Sequence, residues 1–482
     1  MAKYLTAPVK TKDLPNGIPY IIGNEVAERF SFYGMKVLLV VFMTTYIIQP
    51  DGTNTSFSET DAKKYYHYFN FFAYFTPFFG AILADAFLGK YRTIIALSLV
   101  YCAGHACLAF MGVMGDTRLW LFAGLLLISL GAGGIKPCVS AHVGDQFGKS
   151  NSHWLTKVYA WFYFSINVGA VVSGLLTPWL MRAEAGKTVH PFITMLVGEK
   201  AEGEILFGPH WAFGLPGVLM AIATYVFWMG RNKFIHIQPL PNPSTYFKKT
   251  FSGEGLQAFG RIAGVISFSI IFWSLFDQMA STWVYQGKEL ERAIPASIPF
   301  FAGEIYPEQI SGVFNPMFIL LFIPLMNKWG YPLIDKVFPL NPLRKIGIGL
   351  VLAGIAFGGV AFVDVLLNAG HKPHIGWQVL ACALFTLAEV MISITCLEFA
   401  YTQAPKQMKS LVLSLYLLSV AMGNFVTAFF TPVFAEYGRT LEMWFWSGLV
   451  IVNALVFIPV ARKYIIQEHL HEEEELEVAT NL

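Results

Sequence analysis

Twelve long apolar segments constrain the fold of this 482-residue chain more than any other feature of its sequence. Each has about 20 or more predominantly apolar residues, the length that an α-helix needs to cross a bilayer. Lipid offers no partner to free backbone polar groups, so such segments form spanning helices. They centre near residues 20–48, 66–88, 93–115, 119–142, 155–181, 211–229, 259–285, 311–334, 346–368, 375–402, 410–435 and 442–466. The sequence therefore predicts an all-α membrane protein with twelve transmembrane helices.

The composition supports this class and excludes others. The chain is 55% hydrophobic and 13% charged, whereas soluble domains carry about 25% charged residues. A net charge of +2 gives no basic field for nucleic acid. The five cysteines fall within apolar segments, and the spans carry no HExxH or GxSxG motif. We therefore expect no nucleic acid partner, no metal or other cofactor and no enzymatic activity.

The segments form two sets of six, which predicts two six-helix bundles around a site near the bilayer midplane. Assigning both termini to the cytoplasm places about twice as many Lys and Arg residues on the cytoplasmic side as outside. The joining stretch is too short for an extra helix pair. The predicted divisions are a cytoplasmic N-terminal segment (1–19), an N-terminal bundle (20–230), a cytoplasmic linker (231–257), a C-terminal bundle (258–466) and an acidic cytoplasmic tail (467–482).

The first span contains five ionisable residues, Glu25, Glu28, Arg29, Tyr33 and Lys36. A charge at the centre of a spanning helix costs roughly 2.5–3.5 kcal/mol even on lenient scales. Their spacings place all five on one helix face. They therefore indicate an ion or substrate site. The alternative is a helix that begins at Phe30, with the charges in a hydrated loop.

Four further ionisable residues lie in later spans: His67, Lys136, Asp277 and Glu398. The first half thus supplies buried cations, and the second half supplies acids without a buried cation. A ligand between the halves would meet positive charge on one side and negative charge on the other, as suits a zwitterion such as a short peptide. Burial favours the neutral form of a carboxyl group, so the acids and the histidine also predict proton coupling.

Other polar and aromatic residues are candidates for the space between these charges. Tyr33, Tyr74, Trp273 and Tyr416 would provide apolar area with a polar tip. Asn167 and Asn315 would bond a peptide backbone or terminus.

Several of these residues have structural alternatives. Lys136 could merely neutralise Glu25 or Glu28, and His67 could be an interfacial histidine. Lys36 and Asp277 could latch the bundles together without touching substrate.

Four charged positions outside the main set are also assigned from the sequence. Asp85 and Arg92, with Lys90 between them, predict a structural and gating clamp at a cytoplasmic loop. Glu389 lies nine residues before Glu398, on the opposite helix face, and is therefore excluded from the predicted site.

The motifs around these residues resemble those of the proton-dependent oligopeptide transporter (POT, or PTR) family of the major facilitator superfamily. Glu25-x-x-Glu28-Arg29-Phe-x-Phe-Tyr33-Gly34 is similar to the first-helix motif of the family. The other matching stretches are 131–140 with 145–147, 162–169, 272–278, 397–405 and 80–92. The resemblance covers nearly the whole chain in the right order.

The resemblance implies a proton-coupled symporter that imports di- and tripeptides by alternating access, working as a monomer in the plasma (inner) membrane. Arg29, Tyr33 and Lys136 would hold the peptide carboxylate, and Glu398 with Asn315 its amino terminus. The remaining implied roles are backbone contact (Asn167 and Tyr74), a side-chain pocket (Trp273), proton coupling (Glu25, Glu28, Lys36, His67 and Asp277) and gating (Asp85 and Arg92). The alternative is a relative that carries nitrate, another small solute or a peptide-like drug.

Four positions depart from the pattern of the family. Phe32 stands where tyrosine is usual, Lys36 where arginine is usual, Cys138 where asparagine is common and Tyr416 where tryptophan is common. Lysine cannot pair bidentately with a carboxylate, so the Lys36–Asp277 pair is expected to be weaker than an arginine pair.

Overall fold

The structure is a computed structural model of the chain. It describes residues 4–8, 10–113, 115–182, 208–237, 253–294, 303–403 and 409–464, together with residues 244 and 248. The predicted acidic tail and most of the predicted linker lie outside the described residues.

Six helices form the first bundle, and each crosses most of its thickness. They are α1 (Ile18–Thr45), α2 (Glu59–Leu83, extended by a π turn at Ala84–Leu88), α3 (Lys90–Ala109), α4 (Thr117–Asp145), α5 (Leu155–Arg182) and α6 (Pro209–Met229).

The second bundle has more breaks along its helices. Its helices are α7 (Gly253–Ile266), α8 (Ser269–Phe276), α9 (Thr282–Glu289), α10 (Asn315–Leu325), α11 (Tyr331–Val337), α12 (Pro342–Asn368), α13 (Gly376–Glu389), α14 (Thr395–Gln403), α15 (Lys409–Tyr437) and α16 (Arg439–Lys463). A 3₁₀ turn (Asp277–Ala280) joins α8 to α9, and π turns lie at Ile310–Phe314, Met326–Gly330 and Val390–Ile394.

Ten helices in the described part are long and apolar enough to cross a membrane, and a pair bent by 43° over residues 259–289 would be an eleventh. The predicted multi-pass α-helical architecture is confirmed at this level. The charged helix α1 is 28 residues long and continuous from Ile18. A helix that begins at Phe30 is therefore wrong, and the ionisable residues of the first span lie inside a helix.

Side-chain caps define where several helices begin. Ser58 accepts a hydrogen bond from the Asp61 backbone N–H at the start of α2, and Asn341 does the same for Arg344 at the start of α12. Such caps satisfy one of the free N–H groups of a first turn. They fix the helix starts just outside the apolar segments.

Two separate hydrophobic cores correspond to the two predicted bundles. One contains buried residues of α1–α6 together with a few from α9. The other contains buried residues of α7–α9 and α12–α16, with Tyr74 and Phe78 of α2 packed against it. The bundles therefore meet where α2 packs on α15 and where α5 packs on the π turn at Ile310–Phe314.

Glycine pairs permit the closest helix approaches. A Cβ on Gly80 of α2 would lie 2.4 Å from the carbonyl oxygen of Gly133 on α4. Between the bundles, a Cβ on Gly174 of α5 would lie 2.4 Å from the carbonyl oxygen of Gly312. Small residues let helices in a membrane pack closely, and these contacts bring the charged faces of both bundles to a common space.

Candidate functional site

A cavity of about 350 Å³ lies between the two bundles. Its size falls within the range of small-molecule sites, about 300–1,000 Å³. The residues predicted for the site that line it are Arg29, Tyr33, Lys36, Tyr74, Asn167, Trp273, Asp277, Asn315 and Tyr416. The structure thus brings together predicted residues from both halves of the chain around one cavity.

A compact ion cluster lies on the α1 side of the cavity. The Arg29 Nε is 2.8 Å from Glu25 Oε1 and 2.6 Å from Glu28 Oε2. All three residues are buried, Glu28 completely. Arg29 lines the cavity, whereas neither Glu25 nor Glu28 is among its lining residues. The arginine therefore stands between the two carboxylates and any ligand.

Lys136 of α4 lies next to this cluster, behind the cavity wall. Its Nζ is 3.8 Å from the centroid of the Phe32 ring and 4.0 Å from that of the Tyr74 ring. The Nζ atom is buried and makes no hydrogen bond within the described structure. A cation over aromatic faces is stabilised by the ring quadrupoles. Phe32, noted above as a departure, thus provides a face for the lysine ammonium.

A continuous polar network joins the bundles beside the cavity. The Lys36 Nζ donates to Asp277 Oδ1 at 2.6 Å, and the Asn424 Nδ2 donates to Asp277 Oδ2 at 2.6 Å. His67 Nδ1 is 2.8 Å from Asn424 Oδ1, and His67 Nε2 is 3.0 Å from Ser281 Oγ. These residues are buried. His67 is therefore an interior residue, and the interfacial alternative is wrong.

Asn424 belongs to this network although the sequence analysis did not select it. Its amide also donates to the Val420 carbonyl, which fixes its orientation with the oxygen toward His67. The sequence signal was weak, because asparagine carries no formal charge and this one stands alone in the apolar helix α15.

Besides Asp277, the second bundle brings Glu389 to the cavity. It is 9% exposed, lines the cavity and accepts a 2.7 Å hydrogen bond from Asn315 Nδ2. Glu398 is exposed and does not line the cavity. The structure therefore does not place Glu398 on the wall of this cavity, and its role at the amino terminus of the peptide stays a prediction. The exclusion of Glu389 from the site, which was argued from the spacing of a regular helix, is not supported, because Glu389 lines the cavity and a π turn at Val390–Ile394 lies between the two glutamates.

The depth of the two glutamates could have distinguished them. Glu389 lies near the middle of the spanning helix Gly376–Ala400, and Glu398 lies close to its end. A charge at mid-span is the costlier one and is the stronger indication of function.

The ion pair at the loop after α2 includes a residue that was not part of the predicted clamp. Lys90 Nζ donates to both carboxylate oxygens of Asp145, at 2.9 and 2.7 Å. Asp85 is partly buried nearby, and Arg92 is exposed. Lys90, one of the three predicted clamp residues, thus forms an ion pair that joins α3 to the end of α4, and the gating role of Asp85 and Arg92 stays a prediction.

Two ion pairs close the gap between the bundles on the membrane face that carries loop 46–58. Lys63 of α2 pairs with Glu442 of α16, and Arg182 at the end of α5 pairs with Glu308. Lys63, Glu442 and Glu308 are buried. The cavity is thus separated from that face by paired charges contributed by both bundles.

Comparison with known proteins identifies the family of the chain. The sequence model of the POT family matches residues 91–253 and 252–446. The chain belongs to the POT family. The resemblance of its motifs to this family is therefore confirmed.

Two relatives and one solved structure illustrate this similarity. Mouse solute carrier family 15 member 2 is 33% identical over 420 residues, which are 79% of this chain and 53% of the relative. Peptide transporter family 1 of Drosophila melanogaster is 33% identical over 377 residues, 71% of this chain and 47% of the relative. The crystal structure of an auto-inhibited POT family peptide transporter matches with a TM-score of 0.79 and 31% identity, covering 95% of this chain and 99% of that chain. The chain spans about half the length of the curated relatives it matches.

Proposed function

We propose that this POT family member is a proton-coupled symporter of di- and tripeptides. The observation that carries the proposal is the charge distribution of the cavity, with Arg29 on the wall of the first bundle and Glu389 on the wall of the second. A peptide is a zwitterion whose two ends match these walls. An inorganic anion such as nitrate would leave Glu389 without a counter-charge.

The peptide carboxylate binds at the first bundle. Both recorded ion pairs of Arg29 are made by Nε. Its two terminal nitrogens therefore bind a carboxylate in the cavity, with the bidentate geometry that arginine favours. Lys136 supplies the second positive charge when it leaves the faces of Phe32 and Tyr74.

The amino terminus of the peptide binds at the second bundle. Glu389 is held by Asn315, and Ser393 and Tyr416 beside it line the same cavity. Trp273 packs edge-on against Tyr416 with ring centroids 5.7 Å apart, and this aromatic wall contacts peptide side chains.

Proton coupling follows from the charge balance on the first bundle. Glu25 and Glu28 balance Arg29 and Lys136 when both acids are ionised. Protonating one acid leaves a net positive charge, which the peptide carboxylate neutralises. A second proton binds within the network of Lys36, Asp277, Asn424 and His67. Its binding breaks the hydrogen bonds that join the two bundles.

The membrane arrangement completes the proposal. With α1 counted as a spanning helix, the chain has twelve spans in two bundles, both termini are cytoplasmic and loop 46–58 is outside. The ion pairs Lys63–Glu442 and Arg182–Glu308 then form an extracellular closure. The chain acts as a monomer in the plasma (inner) membrane and uses no cofactor besides the proton.

The proposed function is tested by uptake into proteoliposomes. A labelled dipeptide should accumulate when an inward proton gradient is imposed, and unlabelled di- and tripeptides should compete. Free amino acids and nitrate are the matched control compounds, and they should not compete. Accumulation without a gradient, or competition by nitrate alone, would contradict the proposal.

Lys136→Ala should reduce proton-driven uptake about 10- to 100-fold, because a hydrogen bond to a charged group is worth roughly 1.5–3 kcal/mol. The measurement is initial uptake rate in proteoliposomes. Lys64→Ala is the matched control, since Lys64 pairs with Asp61 near the membrane surface. If Lys136 merely neutralises an acid, the double variant Lys136→Ala with Glu28→Gln should recover the exchange of labelled for unlabelled dipeptide at equal pH, which needs no coupled proton, and that recovery would refute its contact with substrate.

A further inference from the structure

Tyr74 of α2 lines the cavity, and two lysine ammonium groups lie over its ring. The Lys136 Nζ is 4.0 Å from the centroid of the ring, and the Lys36 Nζ is 5.8 Å from it. Lys136 comes from α4 and belongs to the proposed carboxylate site. Lys36 comes from α1 and is bonded to Asp277 at 2.6 Å. One aromatic ring therefore contacts both the substrate site and the ion pair that joins the bundles.

Two aromatic rings make the recorded contacts of the Lys136 ammonium. Its Nζ has no hydrogen-bond partner within the described residues. The Phe32 and Tyr74 rings that it faces are perpendicular, with an interplanar angle of 89° and centroids 6.4 Å apart. Of these three residues, Tyr74 is the one that lines the cavity. To reach a carboxylate in the cavity, the ammonium must therefore leave the Tyr74 ring.

Lys36 is bonded to Asp277 and lies close to two rings of α2. Its Nζ is 5.9 Å from the centroid of Tyr66 and 5.8 Å from that of Tyr74. Lysine binds a carboxylate as a point charge, without the planar fork of arginine, so a short movement is enough to release it. An approach from 5.8 Å to the 4.0 Å at which Lys136 lies would place Lys36 in full contact with the Tyr74 ring.

Two cations do not use one ring independently. An ammonium is attracted to an aromatic face by the quadrupole of the ring, and like charges repel each other strongly where water is excluded. While Lys136 occupies the Tyr74 ring, the ring therefore stabilises Lys36 little. Once a carboxylate neutralises Lys136 and draws it away, the ring becomes available to Lys36.

We propose that Tyr74 is a positioning residue that couples peptide binding to release of the Lys36–Asp277 pair. The peptide carboxylate draws Lys136 off the Tyr74 ring, and the freed ring stabilises the Lys36 ammonium away from Asp277. Linked equilibria are reciprocal, so release of Lys36 also displaces Lys136 toward the carboxylate site. This inference rests on the proposed function, in which Lys136 binds the peptide carboxylate.

The coupling role differs from a contact between Tyr74 and the peptide backbone. A backbone contact depends on the hydroxyl group, whereas coupling depends on the face of the ring. Tyr74→Phe keeps the ring and removes the hydroxyl. Tyr74→Leu removes the ring and keeps an apolar side chain. The two variants therefore separate the two roles.

Release of the pair can be followed as a distance between spin labels in the reconstituted protein. The labels are attached to cysteines introduced by Asp51→Cys and Lys372→Cys, at exposed positions on the face that carries loop 46–58. Molecules in which the Lys36–Asp277 pair is released should show the longer distance. The measured quantity is the ratio of molecules with the longer distance to molecules with the shorter one.

The first test needs no peptide and uses Lys136→Ala, which vacates the Tyr74 ring. This variant should raise the ratio about fivefold, the effect of one cation–π contact in a buried site. Lys136→Ala combined with Tyr74→Leu should lose the increase, because no ring remains for Lys36. Lys136→Ala combined with Tyr74→Phe should keep it. A role of Lys136 in substrate binding alone predicts no change without peptide.

Tyr66→Leu is the matched control, because Tyr66 lies near Lys36 and has no recorded contact with Lys136 in the described part of the chain. Lys136→Ala combined with Tyr66→Leu should still raise the ratio about fivefold over Tyr66→Leu alone. An unchanged ratio in Lys136→Ala would overturn the coupling role of Tyr74. An equal increase in the backgrounds of Tyr74→Leu and Tyr74→Phe would overturn it as well.

The second test adds a saturating dipeptide to proteins that keep Lys136. The dipeptide should raise the ratio in the wild type and in Tyr74→Phe, and its effect should be about fivefold smaller in Tyr74→Leu. Equal responses in the two Tyr74 variants would confine this residue to peptide contact and overturn the proposal. The test without peptide can fail while dipeptide uptake is proton-driven, so its failure is distinct from failure of the proposed function.

Discussion

Glu389→Gln should weaken dipeptide uptake about 10- to 100-fold, because it removes a charge-assisted hydrogen bond worth roughly 1.5–3 kcal/mol. The lost partner is the amino terminus of the peptide, so the effect should appear mainly in KM. Glutamine keeps the shape of the side chain and can still bond to Asn315. The measurement is the concentration dependence of dipeptide uptake in proteoliposomes.

Two controls sharpen this result. Glu398→Gln is matched in chemistry and lies in the same spanning helix, but the residue is exposed and outside the cavity, so uptake should stay near the wild-type rate. An N-acetylated dipeptide lacks the ammonium group, and Glu389→Gln should change its weak binding little. A larger loss of uptake from Glu398→Gln than from Glu389→Gln would show that Glu398, and not Glu389, binds the amino terminus of the peptide.

Asp277→Ala should have the second large effect, a loss of proton-driven uptake together with an opening of the face that carries loop 46–58. The Asp277 carboxylate is bonded to Lys36 of the first bundle and to Asn424 of the second. Removing it leaves the Lys36 charge buried without a partner, and breaking a buried pair typically costs about 3–5 kcal/mol. That penalty falls on the closed arrangement, in which Lys36 is 6% exposed.

The opening can be measured as a distance between spin labels. The labels are attached to cysteines introduced by Asp51→Cys, after α1, and by Lys372→Cys, after α12. Both positions are exposed on this face. Labels there should move apart in Asp277→Ala. The double variant Lys36→Ala with Asp277→Ala removes both charges, so its shift should be smaller than that of Asp277→Ala alone. Equal shifts in the single and double variants would show that the pair does not hold the bundles closed.

The spanning architecture and one side of the site could be predicted from the sequence because both depend on local signals. Long apolar segments report spans directly. Glu25, Glu28 and Arg29 lie on one helix, so their spacing was enough to place them together. The pairing of Lys36 with Asp277 was also foreseen, as a latch between the bundles.

Other features depended on packing that the sequence does not reveal. The choice between Glu389 and Glu398 required the rotation of one helix against the cavity. The partner of Lys90 is Asp145, 55 residues away on another helix, although Asp85 is nearer in sequence. Asn424 is uncharged, and its importance appears only from the groups around it.

The most direct test of the central claim is the charge that moves with a neutral peptide. Liposomes containing the protein can be adsorbed on a solid-supported membrane and exposed to a dipeptide at equal pH on both sides. A zwitterionic dipeptide carries no net charge, so a coupled proton should produce a positive current in the direction of peptide entry. Glu389→Gln should reduce this current at low dipeptide concentration. A wild-type protein that takes up dipeptide without moving positive charge would contradict proton-coupled symport.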